Sequence, residues 1–240
     1  MRQVIVIPAR MKGTRLPGKP LIDILGKPMI QHVWDRCAQV HPVNVIFIAT
    51  EDIVIEQYCI NNNINCLNTG PASTAIDRIK LFSNVIKADS YINVQGDEPV
   101  INTNDIKVIL DYNKKWPDRI VFGKTKANED DFFDYSKAKV VCDIENRLLY
   151  SSRAGIPLNN KGKFISAERA IWIYAFNKFS LDQYNNNIEK TTLDKIEDNE
   201  IIRFLELGIP VYCTDVIGDS WSVDEKKDIE VVKRIMLKKN

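Results

Sequence analysis

An α/β fold built on a doubly wound, mostly parallel sheet is predicted by three features of the 240-residue chain. Short β-branched runs alternate with amphipathic segments in the order strand, helix, strand, helix, which favours parallel strands joined by right-handed crossovers. The first two runs are almost wholly apolar, as expected for strands covered on both faces. The two segments richest in chemistry each follow a strand, where ligands of such sheets bind.

Taken in order, Val4 to Ile7 is the first buried strand, and it runs into the loop Pro8-Ala9-Arg10-Met11-Lys12-Gly13-Thr14-Arg15-Leu16-Pro17-Gly18-Lys19-Pro20-Leu21. Glycines and prolines stiffen this loop, and holding a charged loop in one shape costs about 1 kcal/mol per residue in backbone entropy. Arg10, Lys12, Arg15 and Lys19 add cations to the main-chain N–H groups, a combination suited to a triphosphate. The spacing matches neither G-x-x-x-x-G-K-[ST] nor G-x-G-x-x-G, so a P-loop NTPase and a dinucleotide dehydrogenase are poorly supported. After Pro28, the residues Met29, Ile30, Val33, Trp34 and Cys37 recur at helical spacing up to His41-Pro42. Val45 to Ala49, Tyr91 to Val94, Ile120 to Phe122 and Val140 to Cys142 are further strands. Ile53 to Ile60, Ala75 to Ile86 and Ile106 to Tyr112 are further helices.

The second chemical segment, Asn93-Val94-Gln95-Gly96-Asp97-Glu98-Pro99, also sits at a strand end. A carboxylate that meets a triphosphate needs a divalent cation between them, and Mg²⁺ commonly takes one or two carboxylates plus phosphate oxygens. Asp97 is thus the first candidate metal ligand, with capping of the helix near Thr103 as its alternative role.

Composition narrows the partners. Thirty-three basic against 32 acidic residues leave a net charge of +1, no footprint for nucleic acid or an anionic membrane. Cys37, Cys59, Cys66, Cys142 and Cys213 lack CxxC spacing, and His32 and His41 are the only histidines, so zinc is unsupported and reduced thiols are expected. No apolar run spans a bilayer and no signal pattern opens the chain, which predicts a cytoplasmic protein. At this length one domain buries about 70–75% of its unfolded surface.

The phosphate loop together with Val94 to Pro99 resembles the CMP-sugar cytidylyltransferases, closest to the 3-deoxy-manno-octulosonate (Kdo) cytidylyltransferase family. Leu149 to Pro157, the segment Leu193 to Arg203 and the tail Val223 to Ile229 extend the resemblance over nearly the whole chain. It implies a Rossmann-like nucleotidyltransferase fold whose residues 1–127 bind nucleotide. Residues 128–218 then form an acceptor-binding and dimerisation subregion, with Pro157 to Phe164 a polar connection, and residues 219–240 carry a metal-binding Asp and a helix. The implied reaction is coupling of CMP from CTP to a hydroxyl of an acidic sugar, with Mg²⁺ as cofactor and a homodimer as the assembly. Lys19, Arg10 and Asp97 would be catalytic; Pro8, Ala9, Arg10, Arg15, Lys19, Arg78 and Gln95 would bind nucleotide; Asp97 and Asp224 would hold the metal. Glu98, Arg153, Trp172, Tyr174 and Glu200 would face the acceptor, with Arg153 as the fork for its carboxylate.

Departures from the family pattern carry their own expectations. Where the family has His-x-Ser-Gly-Thr-Asp/Glu-Arg, this chain has Ala72-Ser73-Thr74-Ala75-Ile76-Asp77-Arg78, in which only Asp77 and Arg78 are counted as kept. Ala170, Trp172 and Ile201 replace polar or small groups, which predicts an acceptor other than Kdo, with fewer hydroxyls or with an apolar or N-acyl substituent. Of Tyr174 and Phe176, one is expected in the core and one at an interface. A metal-dependent glycosyltransferase and a non-catalytic binding homologue are the other classes.

Overall fold

The computed structural model describes residues 1–13, 15–184 and 190–238; Thr14 of the phosphate loop and the last two residues of the C-terminal segment lie outside them. In chain order the elements are β1 (Gln3–Pro8), β2 (Asp23–Ile24), β3 (Lys27–Pro28), α1 (Met29–Ala38), β4 (Ile46–Thr50), α2 (Ile53–Asn61), β5 (Cys66–Asn68), α3 (Ala75–Val85), β6 (Ser90–Val94) and α4 (Thr103–Lys115). They continue as β7 (Ile120–Ala127), α5 (Glu129–Phe133), β8 (Lys139–Cys142), β9 (Leu148–Ser152), β10 (Ala167–Asn177), α6 (Lys178–Gln183), α7 (Thr192–Glu197), α8 (Ile201–Glu206), β11 (Val211–Asp215) and α9 (Lys226–Lys238).

The main sheet has the order β11-β7-β10-β6-β1-β4-β5, with β8 pairing β10 and β9 off that path. The pairs β1–β4, β1–β6, β4–β5 and β11–β7 are parallel, as the alternating pattern predicts. The insertion of β10 between β6 and β7, antiparallel to both, is not foreseen by that pattern. Nor does Val140–Cys142 join the parallel series; within β8 it pairs antiparallel to β9 and β10.

Side chains alternate along β1. Val4 and Val6 join one apolar layer with Phe82 of α3 and Phe204 of α8, while Ile5 and Ile7 join the other with Ile30 and Val33 of α1 and Ile106 and Ile109 of α4. Each fully buried isoleucine contributes about 2 kcal/mol of burial free energy, so helices on both faces are the stable arrangement. β10 supplies Tyr174 to one layer and Ile173 and Ala175 to the other, so residues on both sides of position 127 share the same two apolar layers. Tyr174 and Phe176 are both buried within the chain, stacked with ring centroids 5.5 Å apart, so neither is an interface residue. The family-like segment Leu193 to Arg203 is two short helices, α7 and α8, broken at Asp198, whose φ of 44° is left-handed. All five cysteines are free thiols, and among the described residues no helix is long and apolar enough to cross a membrane.

Candidate active site

The phosphate loop leaves β1 beside the carboxyl end of β4. Main-chain bonds from Ala9 N–H to the Ala49 carbonyl (2.9 Å) and from Gly18 N–H to the Met11 carbonyl (2.9 Å) shape it, and the Asp52 carboxylate accepts from Met11 N–H at 2.7 Å. Gly18 sits at φ 72°, a conformation that favours glycine. The following β6 turn approaches so closely that a Cβ on Gly96 would lie 2.6 Å from the Pro8 carbonyl oxygen. Gly96 thereby lets Gln95 and Asp97 stand against the loop.

Charges converge there. Lys19 Nζ donates to Asp97 Oδ2 at 2.8 Å and to Asp224 Oδ1 at 3.5 Å, and Arg15 reaches Asp224 Oδ1 at 3.0 Å. Asp224 precedes α9, whose start is held by Asp228: one of its oxygens accepts the N–H groups of Asp224 (2.9 Å) and Glu225 (2.8 Å). Val223 N–H also bonds the Asp97 carbonyl at 2.9 Å, which ties the two carboxylate-bearing segments together. The cap of α4 is Asn102, so Asp97 is not engaged as a helix cap. Two carboxylates that share one ammonium suit a hard divalent cation, which takes one or two carboxylates alongside phosphate oxygens. Among the described residues no group of three or more His, Cys, Asp or Glu side chains is arranged to hold a metal ion, and Asp97 and Asp224 are the pair that would contribute to one here.

The cavity above the sheet edge has a volume of about 440 Å³. Pro8, Ala9, Arg10, Arg15, Lys19, Arg78, Gln95, Asp97 and Asp224 line it on one side, and Arg153, Trp172, Tyr174 and Glu200 line it on the other. Glu98 does not. It is 6% exposed, and burial pushes its carboxyl up to about 7 while the Ser220 hydroxyl and Arg169 act in the opposite direction. One of its oxygens has no hydrogen-bond partner. The residue expected against the acceptor therefore lies behind the wall.

Other predicted residues line the cavity but are engaged elsewhere. Arg78 donates to Thr69 Oγ1 (2.8 Å) and the Gly70 carbonyl (3.1 Å), with Glu51 at 3.5 Å, and so pins the loop before α3. Burial lowers its pKa, against the opposing pull of Glu51. Arg10 donates to the Ser73 carbonyl at 3.3 Å. Arg153 donates to the carbonyls of Glu197 (2.8 Å), Tyr135 (3.2 Å), Ser136 (3.2 Å) and Asp198 (3.0 Å), which leaves it little to offer as a carboxylate fork. Glu200 accepts from Ala75 N–H (3.3 Å) and Ile76 N–H (2.8 Å), the exposed donors of the α3 N-terminus, and burial raises its pKa.

The altered positions also fall differently from expectation. Thr74 is the N-cap of α3, accepting from Asp77 N–H at 3.2 Å, so the small hydroxyl of the family turn is retained. Ile76 is 1% exposed and belongs to the core. Ala170 and Ile201 are buried in the same layer and do not line the cavity. Trp172 alone of the three reaches it, half-buried at a register shift in β10 and stacked on Tyr174 with centroids 5.9 Å apart. Sequence reading missed Lys190, Asp198 and Asn199 on the cavity wall and Asp228 behind Asp224. Only Asp228 carried a signal, an acid placed to bond the first N–H groups of a helix.

The comparisons agree with this geometry. A profile described as cytidylyltransferase matches residues 4–212. The chain is 33% identical to a 3-deoxy-manno-octulosonate cytidylyltransferase of Escherichia coli, over 98% of this chain and 96% of that one. It is 35% identical to the enzyme of the same name from Aliivibrio salmonicida, over 98% and 99% of the two chains. The solved structure of CMP:2-keto-3-deoxy-manno-octonic acid synthetase complexed with CTP superposes with a TM-score of 0.93 at 32% identity, covering all of both chains. With matches over its whole length and a loop, a sheet edge and two aspartates arranged for nucleotide chemistry, the chain belongs to the cytidylyltransferase family of nucleotidyltransferases.

Proposed function

We propose that the protein transfers CMP from CTP to a hydroxyl of Kdo and releases pyrophosphate. The single observation that carries this reading is the convergence of Arg15, Lys19, Asp97 and Asp224 at the carboxyl edge of the sheet. In the reaction the acceptor oxygen attacks the α-phosphorus, a new O–P bond forms, the bond to pyrophosphate breaks and the hydroxyl proton leaves. Negative charge grows on the α-phosphate and on the departing pyrophosphate, so positioning and electrostatic stabilisation do the work. In this reading Lys19 moves from its carboxylate partners to the α-phosphate, and Arg10 and Arg15, both exposed on the loop, meet the outer phosphates. Mg²⁺, held by Asp97 and Asp224, would supply Lewis-acid neutralisation of phosphate charge.

Kdo is favoured over a less hydroxylated acid because two of the three altered residues, Ala170 and Ile201, are off the cavity wall. The assembly this reading implies is a cytoplasmic homodimer. Its support is the run of exposed apolar side chains around the β8–β9 arm, Phe133, Tyr135, Ile144, Leu149 and Ile165. Light scattering that returns a monomer at micromolar concentration removes the dimer. The activity is tested by pyrophosphate release from each nucleoside triphosphate with Kdo, other 2-keto sugar acids and neutral sugars. CTP with Kdo is expected to give the highest kcat/KM, and higher kcat/KM with an N-acylated or deoxygenated acid would replace Kdo as the acceptor.

A further inference from the structure

We infer that Lys190 receives the carboxylate of the acceptor, the role the family resemblance gave to Arg153; the inference rests on the acidic-sugar reading above. An acid needs a cation that still has N–H groups to give. A guanidinium has five, and four hydrogen bonds from Arg153 run to the carbonyls of Tyr135, Ser136, Glu197 and Asp198. Arg153 therefore builds the wall between the β9 end, the α5–β8 connection and the α7–α8 break.

Lys190 lines the same cavity, and its ammonium, with three N–H groups, donates to Asp198 Oδ1 at 2.6 Å. Both side chains are reachable from solvent, at 35% for Lys190 and 73% for Asp198. Asp198 sits at the left-handed break between the helices, which points its carboxylate at Lys190 and leaves it 4.0 Å from the Arg153 guanidinium. One exposed carboxylate thus lies across two cations at the acceptor end of the cavity. It occupies the position an incoming carboxylate would take, and in the open geometry it holds the long lysine side chain in place. Glu200, the other acid on that wall, is engaged with the first N–H groups of α3, while the hydrogen bond from Lys190 goes to Asp198. The acceptor carboxylate joins or displaces Asp198 on the Lys190 ammonium, while the stacked rings of Trp172 and Tyr174 close the other side.

The test measures steady-state KM for Kdo, for its C1 carboxamide and for CTP. The wild-type protein is expected to prefer the acid over the carboxamide by tenfold or more. Lys190→Met should raise the KM for Kdo about tenfold, erase that preference and leave the KM for CTP within twofold, which also reports an intact fold. Lys190→Arg should keep most of the preference, and Asp198→Asn should leave the KM for Kdo unchanged or lower. An unmoved KM for Kdo in Lys190→Met overturns the assignment. So does an equal rise for Kdo and the carboxamide, or an equal rise in Asp198→Asn, because both describe a hydroxyl-binding pair instead. A wild-type protein that releases no pyrophosphate with CTP and any acidic sugar refutes the functional reading itself, and is told apart by that control.

Discussion

Two groups of charges on the walls of the cavity are held in opposite ways. On the nucleotide wall, Arg15, Lys19, Asp97 and Asp224 bond to one another, and on the acceptor wall Arg153 and Glu200 bond to main-chain groups. Pairs between two side chains can be exchanged for a ligand at little structural cost, since both partners keep rotameric freedom. A charged side chain bound to backbone N–H or carbonyl groups is part of the architecture, and removing it leaves those groups unpaired. The ionisable residues of the cavity therefore divide into side-chain pairs, Lys190 with Asp198 among them, and charges bound into the main-chain framework.

Mutations should split along that line. Lys19→Ala should lower kcat by on the order of 10² or more, because the charge it removes matters most as phosphate charge builds. Its melting temperature should stay near wild type; a large drop in melting temperature with kcat preserved would break the contrast. Asp97→Asn should come next. It should raise the Mg²⁺ concentration needed for half-maximal rate by about tenfold, and EDTA should abolish wild-type turnover. Manganese binding followed by electron paramagnetic resonance in the presence of CTP checks the same site without turnover, and undiminished binding by Asp97→Asn would remove it from the ligand set.

On the acceptor wall, Arg153 and Glu200 should answer in stability. Arg153→Ala strands several carbonyls and should cost on the order of 2 kcal/mol, or roughly 4–8 °C in Tm for a chain of this size. Scanning calorimetry that shows no change would return Arg153 to the ligand-binding group. Smallest, and dependent on pH, is Glu200→Gln. Burial raises the Glu200 pKa above its ordinary value of 4.5, so above that pH the folded chain binds more protons at this group than the unfolded chain does. The wild-type contribution is full below pH 4.5 and declines as pH rises through the raised value. The Tm of Glu200→Gln minus that of wild type should therefore grow more positive as pH increases across that window, and a difference that shrinks reverses the sign of the shift.

Much of the nucleotide half was legible because its signals are local. Apolar runs such as Val4 to Ile7 declare strands covered on both faces, and glycines and prolines such as Gly18 declare the tight loop that follows. The chain from Ala167 to Asn177 was harder to read. In Ala-Glu-Arg-Ala-Ile-Trp-Ile-Tyr-Ala-Phe-Asn no periodic pattern states that the strand runs antiparallel, nor that it enters the sheet between β6 and β7. On the acceptor side, residue type alone did not state what surrounds each charge. Glu98, Arg153 and Glu200 have the chemistry of sugar ligands, but only Arg153 and Glu200 reach the cavity, and their surroundings are set by contacts as distant in sequence as Arg153 with Glu197 (44 residues) and Glu200 with Ala75 (125 residues). The retained hydroxyl at Thr74 was overlooked because helix capping needs only an oxygen, which either Ser or Thr supplies.

The position of β10 has a consequence for how the molecule is made. On a ribosome β6 and β7 emerge long before the strand that joins them, and each waits with an unpaired edge while some forty further residues (128–166) are added. A nascent chain that stops before Ala167 holds the β6-β1-β4-β5 part of the main sheet, a β7 without either partner strand, and no complete cavity. The contacts that close the centre of the sheet span up to 87 positions (Ser90 with Asn177), so loop-closure entropy falls on this late step, which precedes the pairing of β11 with β7, and makes it slow. Exposed strand edges in that interval are templates for association between chains, and the strand that forms the acceptor wall is also the one that ends this exposure.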